Sequence, residues 1–252
     1  MKAYIVAGMK RSGHHGPVMW ISANIPYGTI LFNDCSKGWS NKVLTPSNYQ
    51  SPQAQEIAVG DIKNIRNAIF NIEDFNMDWL DKHDVINFHN VERYLEKYFI
   101  LVLRDPWNWL ASRLKMGGSV VKELDKKINY YNKQCEFALK LKTYKYAPST
   151  IIINYNMWFT DIKYRKRLAQ VLNLNTGAEN NGLNILSTRG GGSSFDKLKY
   201  TDKAQDMSVL NRWKYYSKSE FFRDCIKKIP MKYQDLFPEV RDEYYAKTFN
   251  SI

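Results

Sequence analysis

The chain opens on a short apolar run that leads straight into a basic loop flanked by glycines, and this junction limits the possible folds more than any other feature. Tyr4-Ile5-Val6-Ala7 is compact and apolar, closed by Gly8, the pattern of a strand buried on both faces. Beyond the loop at 9–13, Val18, Met19, Ile21 and Ser22 fall on helical spacing and predict a helix over about 14–24. A strand, a glycine loop and a helix in that order aim backbone N–H groups and a helix N-terminus at one spot, which suits an anion.

The alternation continues along the chain. Apolar runs predict strands at 29–32, 68–72, 84–89, 99–103 and 150–154. Asp105-Pro106 opens a helix, with a capping carboxylate before a proline, and Trp107, Leu110, Ala111 and Leu114 share one of its faces. A longer helix over 121–144 places Val121, Leu124, Ile128, Tyr131, Cys135 and Ala138 on one side, and another covers 162–172. Residues 35–60 and 173–200 lack periodicity and read as long loops. Helix returns from about 202, where Ser217 and Glu220 have the spacing of a capping box. Strands alternating with helices predict an α/β fold, a parallel sheet with helices on both faces, in one domain spanning 1–252.

Charge narrows the partners. Lys and Arg number 37 against 25 Asp and Glu, a net charge of +12, which favours nucleic acid, a membrane surface, a nucleotide or an acidic glycan. Cys35, Cys135 and Cys225 are odd in number and far apart, so they predict reduced thiols in a cytoplasmic protein rather than disulfides or a zinc site. The apolar run at 3–7 is too short for a signal peptide, and nothing approaches the roughly 20 apolar residues of a membrane span. His14 and His15 invite a metal reading. Adjacent residues at a helix start point different ways, however, and no carboxylate is near in sequence, so no metal is expected.

Gly8 and Gly13 have the GxxxxG spacing of a nucleotide triphosphatase loop, which continues with Lys and then Ser or Thr to hold Mg²⁺. Here those places hold His14 and His15, and the cations Lys10 and Arg11 come earlier. Such a loop suits a phosphate donor other than ATP. A second segment runs from Phe99 through Leu103 into Arg104-Asp105-Pro106, with Ser112 eight residues beyond Arg104. The arginine fork binds phosphate through two charge-assisted hydrogen bonds. A third, Thr188-Arg189-Gly190-Gly191-Gly192-Ser193, exposes backbone N–H groups beside a cation.

With these segments in this order, the sequence resembles the sulfotransferases that use 3′-phosphoadenosine 5′-phosphosulfate (PAPS). Arg11-Ser12-Gly13-His14-His15 is similar to that family's Lys/Arg-Ser-Gly-Thr-Thr loop, with histidines replacing two hydroxyl residues. The resemblance implies the P-loop-like sulfotransferase fold, PAPS as donor and adenosine 3′,5′-bisphosphate as product, without a metal. It assigns Lys10, Arg11, Ser12, Gly13, His14 and His15 to the 5′-phosphosulfate. Arg104 and Ser112 fall to the 3′-phosphate, and Arg189, Gly190, Gly191, Gly192 and Ser193 close over the nucleotide. Arg212-Trp213 is similar to a pair in some bacterial members. Arg11, supported by Lys10, is expected to stabilise the leaving oxygen, and His89 or Asp34 to take the acceptor's proton, with Glu73 a third candidate. The acceptor is expected to be a carbohydrate or another hydroxyl or amine compound. Two other functions compete, a P-loop nucleotide or small-molecule kinase and a basic nucleic-acid-binding protein.

Overall fold

Among the described residues the chain folds around five strands: β1 (Lys2–Gly8), β2 (Thr29–Phe32), β3 (Asn67–Glu73), β4 (Glu96–Leu103) and β5 (Thr150–Asn154). All pair in parallel, in the order β2-β3-β1-β4-β5, so β1 lies at the centre. This computed structural model describes residues 1–25, 29–32, 67–79, 95–117, 119–143, 150–185, 193 and 195–240. The expected strand at 84–89 and loop at 35–60 lie outside them.

Successive side chains of a strand alternate between faces, and β1 feeds two separate cores. Ala3, Ile5 and Ala7 join Phe70, Phe99, Leu101, Trp109 and Tyr131 on one face. Tyr4 and Val6 join Ile69, Ile100, Val102, Trp20 and Trp158 on the other. Both faces are therefore covered, the parallel α/β arrangement expected from the alternation of elements. The register sets Gly8 level with Glu73 on one side and Val102 on the other, so the C-terminal ends of β1, β3 and β4 finish together. Parallel sheets bind ligands beyond such ends.

The helices differ from expectation in informative ways. α1 (His15–Asn24) and α2 (Pro106–Leu114) stand where predicted, and the Asp105 carboxylate caps α2 by accepting from the Asn108 N–H. On α2, burial extends beyond the apolar stripe to Asn108, Ser112 and Arg113, because the loop at 9–13 and the 3-10 turns at Val209–Tyr216 pack on its other sides. The predicted helix at 121–144 is two, α3 (Ser119–Lys122) and α4 (Leu124–Thr143). Leu124, Ile128, Tyr131, Cys135 and Ala138 are buried as spaced, whereas Val121, on the short α3, is 41% exposed.

A short helix, α5 (Tyr155–Thr160), follows β5 directly, capped by Asn154; α6 (Ile162–Val171) starts anew on Asp161. The described C-terminal part, to residue 240, is mostly 3-10 turns, with one α-helix, α7 (Glu220–Lys227). Its cap is Ser219, whose Oγ accepts from the Phe222 N–H at 3.3 Å. Ser217 instead donates to the Lys214 carbonyl, because the preceding turn ends there. The expected Ser217 capping box is thus displaced by one local structure claiming the residue before the next begins. No described helix is long and apolar enough to cross a membrane.

Candidate functional site

The loop between β1 and α1 is held from outside. Asp74, just past β3, accepts from the Lys10 N–H at 2.9 Å and takes a bidentate pair from Arg113 at 3.0 Å each. Arg113 and the Trp109 indole also donate to the Lys10 carbonyl, and Lys127 reaches Asp74 at 2.8 Å. Burial works to raise the Asp74 carboxyl, but the Arg113 hydrogen bond and charge outweigh it and hold the group below its ordinary value. Neither Asp74 nor Arg113 stands out in the sequence. One follows a strand, the other sits on the polar side of a helix, and only the tertiary fold brings them together.

Inside the clamp the backbone turns left-handed at Arg11 (φ 72°) and Gly13 (φ 83°). A Cβ at Gly13 would lie 2.5 Å from the Tyr155 ring, so glycine is required by conformation and by space. Gly13→Ala is expected to cost at least about 2 kcal/mol, a fall in Tm on the order of 5 °C by thermal denaturation. An alanine variant melting with wild type would refute this account of the turn.

Arg104 emerges from β4 only 1% exposed. Its Nη1 donates to Ser112 Oγ at 3.2 Å and to the Arg11 carbonyl at 3.5 Å, its Nη2 donates to the Val209 carbonyl, and the guanidinium lies over the Tyr155 ring. The arginine therefore faces the loop at Gly13. A second guanidinium meets it. Arg212, 9% exposed, donates to the same Ser112 Oγ at 3.4 Å, to Ser193 Oγ at 2.7 Å and to Asp196 at 3.0 Å. Burial, and then the Arg104 charge, lower the Arg212 pKa to about 10.

Two buried like charges thus converge on one hydroxyl, and the Nε of each lacks a hydrogen-bond partner among the described residues. Buried charge is costly unless it is paired; Asp196 pairs with Arg212, and the donors that remain on the two guanidiniums suit a phosphate. The structure places Arg104 on Ser112, and Arg212 bridges Ser112 to Ser193. It promotes Arg212 from a faint signal, an Arg-Trp dipeptide, to a full member of the cluster.

Around the loop's last residues, Glu73 is the centre. His15 Nε2 lies 3.0 Å from its Oε1 and His14 Nε2 3.6 Å from the same oxygen, while Lys10 Nζ lies 3.5 Å from Oε2. No carboxylate is near the two histidines in sequence, but β3 lies beside β1 and delivers Glu73 from far along the chain, so the metal reading set aside on that ground reopens. Burial lowers the His14 pKa to about 3, leaving a neutral ring. For Glu73, burial acts to raise the pKa, but the His15 hydrogen bond and nearby positive charge hold it far below the ordinary carboxylate value. Arg11 turns its Nε towards Met116 Sδ, 2.9 Å away. Asp34, His89, Arg189, Gly190, Gly191 and Gly192 lie outside the described residues.

Comparison of the chain with known protein-family models and with curated proteins finds no match. Among solved structures it is similar to mouse sulfotransferase SULT7A1 complexed with PAP, with a TM-score of 0.54 and 14% identity over 96% of this chain and 89% of that one. The chain has the sulfotransferase fold. Also similar is the sulfotransferase domain of the Synechococcus PCC 7002 olefin synthase, with a TM-score of 0.45 and 12% identity over 86% of this chain and 94% of that one. Within the sulfotransferase fold, the strand-end loop at Gly8–Gly13 and the Arg104–Ser112–Arg212 cluster stand at the ends of the adjacent strands β1 and β4.

Proposed function

We propose that this chain is a sulfotransferase that moves a sulfuryl group from PAPS to a hydroxyl or amine. The observation that carries the reading is the pair of buried guanidiniums, Arg104 and Arg212, converging on Ser112 beside the glycine loop. Arg104, Arg212, Ser112 and Ser193 would hold the 3′-phosphate. The backbone of the loop, with Ser12, Gly13 and the start of α1, would hold the 5′-phosphosulfate. Arg189, Gly190, Gly191 and Gly192 would complete the cover over the nucleotide.

In the transfer, the bond from sulfur to the phosphate oxygen breaks as sulfur bonds to the acceptor's oxygen or nitrogen. The protein's task is to align the two and to neutralise the charge growing on the leaving oxygen. Lys10 and Arg11 supply that positive charge. The acceptor's proton goes to a base, for which the sequence offers His89 and Asp34, with Glu73 the candidate at a described strand end. An acidic or neutral sugar hydroxyl is the acceptor class we favour, given the net charge of +12. A reducing, cytoplasmic setting suits the buried free thiols Cys135 and Cys225.

Thermal denaturation with adenosine 3′,5′-bisphosphate in chelator tests the donor assignment. At about 100 times Kd the ligand adds about 2.7 kcal/mol of stability, a Tm rise on the order of 5–10 °C. Adenosine 5′-monophosphate, which lacks the 3′-phosphate, is expected to give little. No shift with the bisphosphate, or a shift only with ATP and Mg²⁺, would overturn the reading.

A further inference from the structure

His14 and His15 do not point apart. His14 already has helical backbone angles (φ −56°, ψ −23°) before α1 begins at His15. Their rings lie side by side, centroids 4.5 Å apart and tilted by 32°, and present both Nε2 atoms to the same carboxylate oxygen. The ligand atoms of His14, His15 and Glu73 all fall within 4.8 Å of one another. Around a tetrahedral ion with bonds of about 2.0–2.1 Å, ligand atoms stand about 3.4 Å apart, and the separations of 3.0 and 3.6 Å to Glu73 Oε1 bracket that spacing.

Two surrounding contacts orient the donors. Ser12 Oγ lies 3.3 Å from His14 Nδ1, occupying the outer ring nitrogen and leaving Nε2 to face inward, and Lys10 takes the other oxygen of Glu73. His14 is 1% exposed, and its Nε2 has no hydrogen-bond partner among the described residues. A buried nitrogen without a hydrogen bond, aimed at a carboxylate already bound by a second imidazole, calls for a further partner.

We propose that His14 Nε2, His15 Nε2 and Glu73 Oε1 bind one divalent cation of the zinc class, with a fourth position open to water or to an anionic oxygen. Two imidazoles and one carboxylate select late first-row ions over Mg²⁺ and Ca²⁺, which take oxygen-rich sets. The ion would tie the last turn of the loop to the end of β3 and add positive charge at the start of α1. It stands where a nucleotide triphosphatase loop places its Mg²⁺ hydroxyl, with a different metal chemistry.

The site shares Glu73 with the candidate bases and His14 and His15 with the expected phosphosulfate loop, but its test uses metal alone and is read apart from the sulfuryl-transfer reading. The full chain, stripped with chelator and dialysed, is titrated with Zn²⁺ by calorimetry and with Co²⁺ by visible absorption. One equivalent is expected to bind, with the intense visible band of four-coordinate Co²⁺ and no binding of Mg²⁺ or Ca²⁺. Glu73→Gln and His15→Ala are each expected to weaken binding at least about 100-fold, with folding checked by circular dichroism. Failure of the unaltered chain to bind an equivalent of either ion overturns the site. So does binding that folded Glu73→Gln and His15→Ala variants retain, since the ion then sits elsewhere. Bisphosphate binding by the stripped protein is read separately, so each proposal can fail alone.

Discussion

Arg104→Ala is expected to erase the thermal stabilisation that adenosine 3′,5′-bisphosphate gives the unaltered chain. Hydrogen bonds to a charged group contribute about 1.5–3 kcal/mol each, and a guanidinium can donate two to one phosphate. Losing both corresponds to about 3–6 kcal/mol, an affinity lower by at least about 100-fold. The ligand-induced shift is the proper measurement, rather than the Tm itself. Arg104 also binds the carbonyls of Arg11 and Val209, whose loss destabilises, but its removal relieves repulsion on Arg212, which stabilises. Arg104→Lys keeps the charge without the fork and is expected to fall between the two. A bisphosphate shift of ordinary size in Arg104→Ala would remove this arginine from the binding site.

The second large effect falls on the clamp behind the loop. Asp74→Ala leaves Arg113, 4% exposed, buried without its carboxylate, and frees Lys127 and the Lys10 N–H. Breaking a buried pair in this way costs about 3–5 kcal/mol, or a fall in Tm on the order of 10 °C. Arg113→Ala should cost less, because Lys127 still pairs with Asp74. The double variant should cost less than the sum of the two, the signature of direct coupling in a denaturation cycle. Because the Asp74 carboxyl is held below its ordinary value, the stability it lends is present above about pH 4 and lost as pH falls through its folded value. Losses under about 1 kcal/mol in both single variants would show that the loop does not depend on this clamp.

The sequence carries the sheet well, for local reasons. β4 announces itself because Phe99–Leu103 is entirely apolar and Asp105-Pro106 then stops the strand and caps a helix, so two signals agree at one place. β1 and its loop are legible for the same reason. Where a residue's role depends on which strands are neighbours, the sequence is mute. Asp74 and Arg113 are 39 residues apart, and Glu73 and His15 are 58 apart. Each looks like an ordinary surface group until β3 is laid beside β1. The same blindness makes two adjacent histidines look divergent, because ring orientation at a helix start follows from backbone angles and packing rather than spacing. At Ser217 and Ser219 the difficulty is local: two serines compete, and the preceding turn decides between them.

The crowding of Arg104 against Arg212 has a consequence for discrimination. Two guanidiniums held close together gain from an anion that comes between them, and under the proposed function they gain equally from every ligand bearing the same phosphate at that end. Donor and spent nucleotide differ only at their other terminus. As proposed, this contact cannot tell fuel from exhaust, and a preference for the loaded form would have to be written at the opposite end, where Lys10 and the first turn of α1 would meet the group that departs.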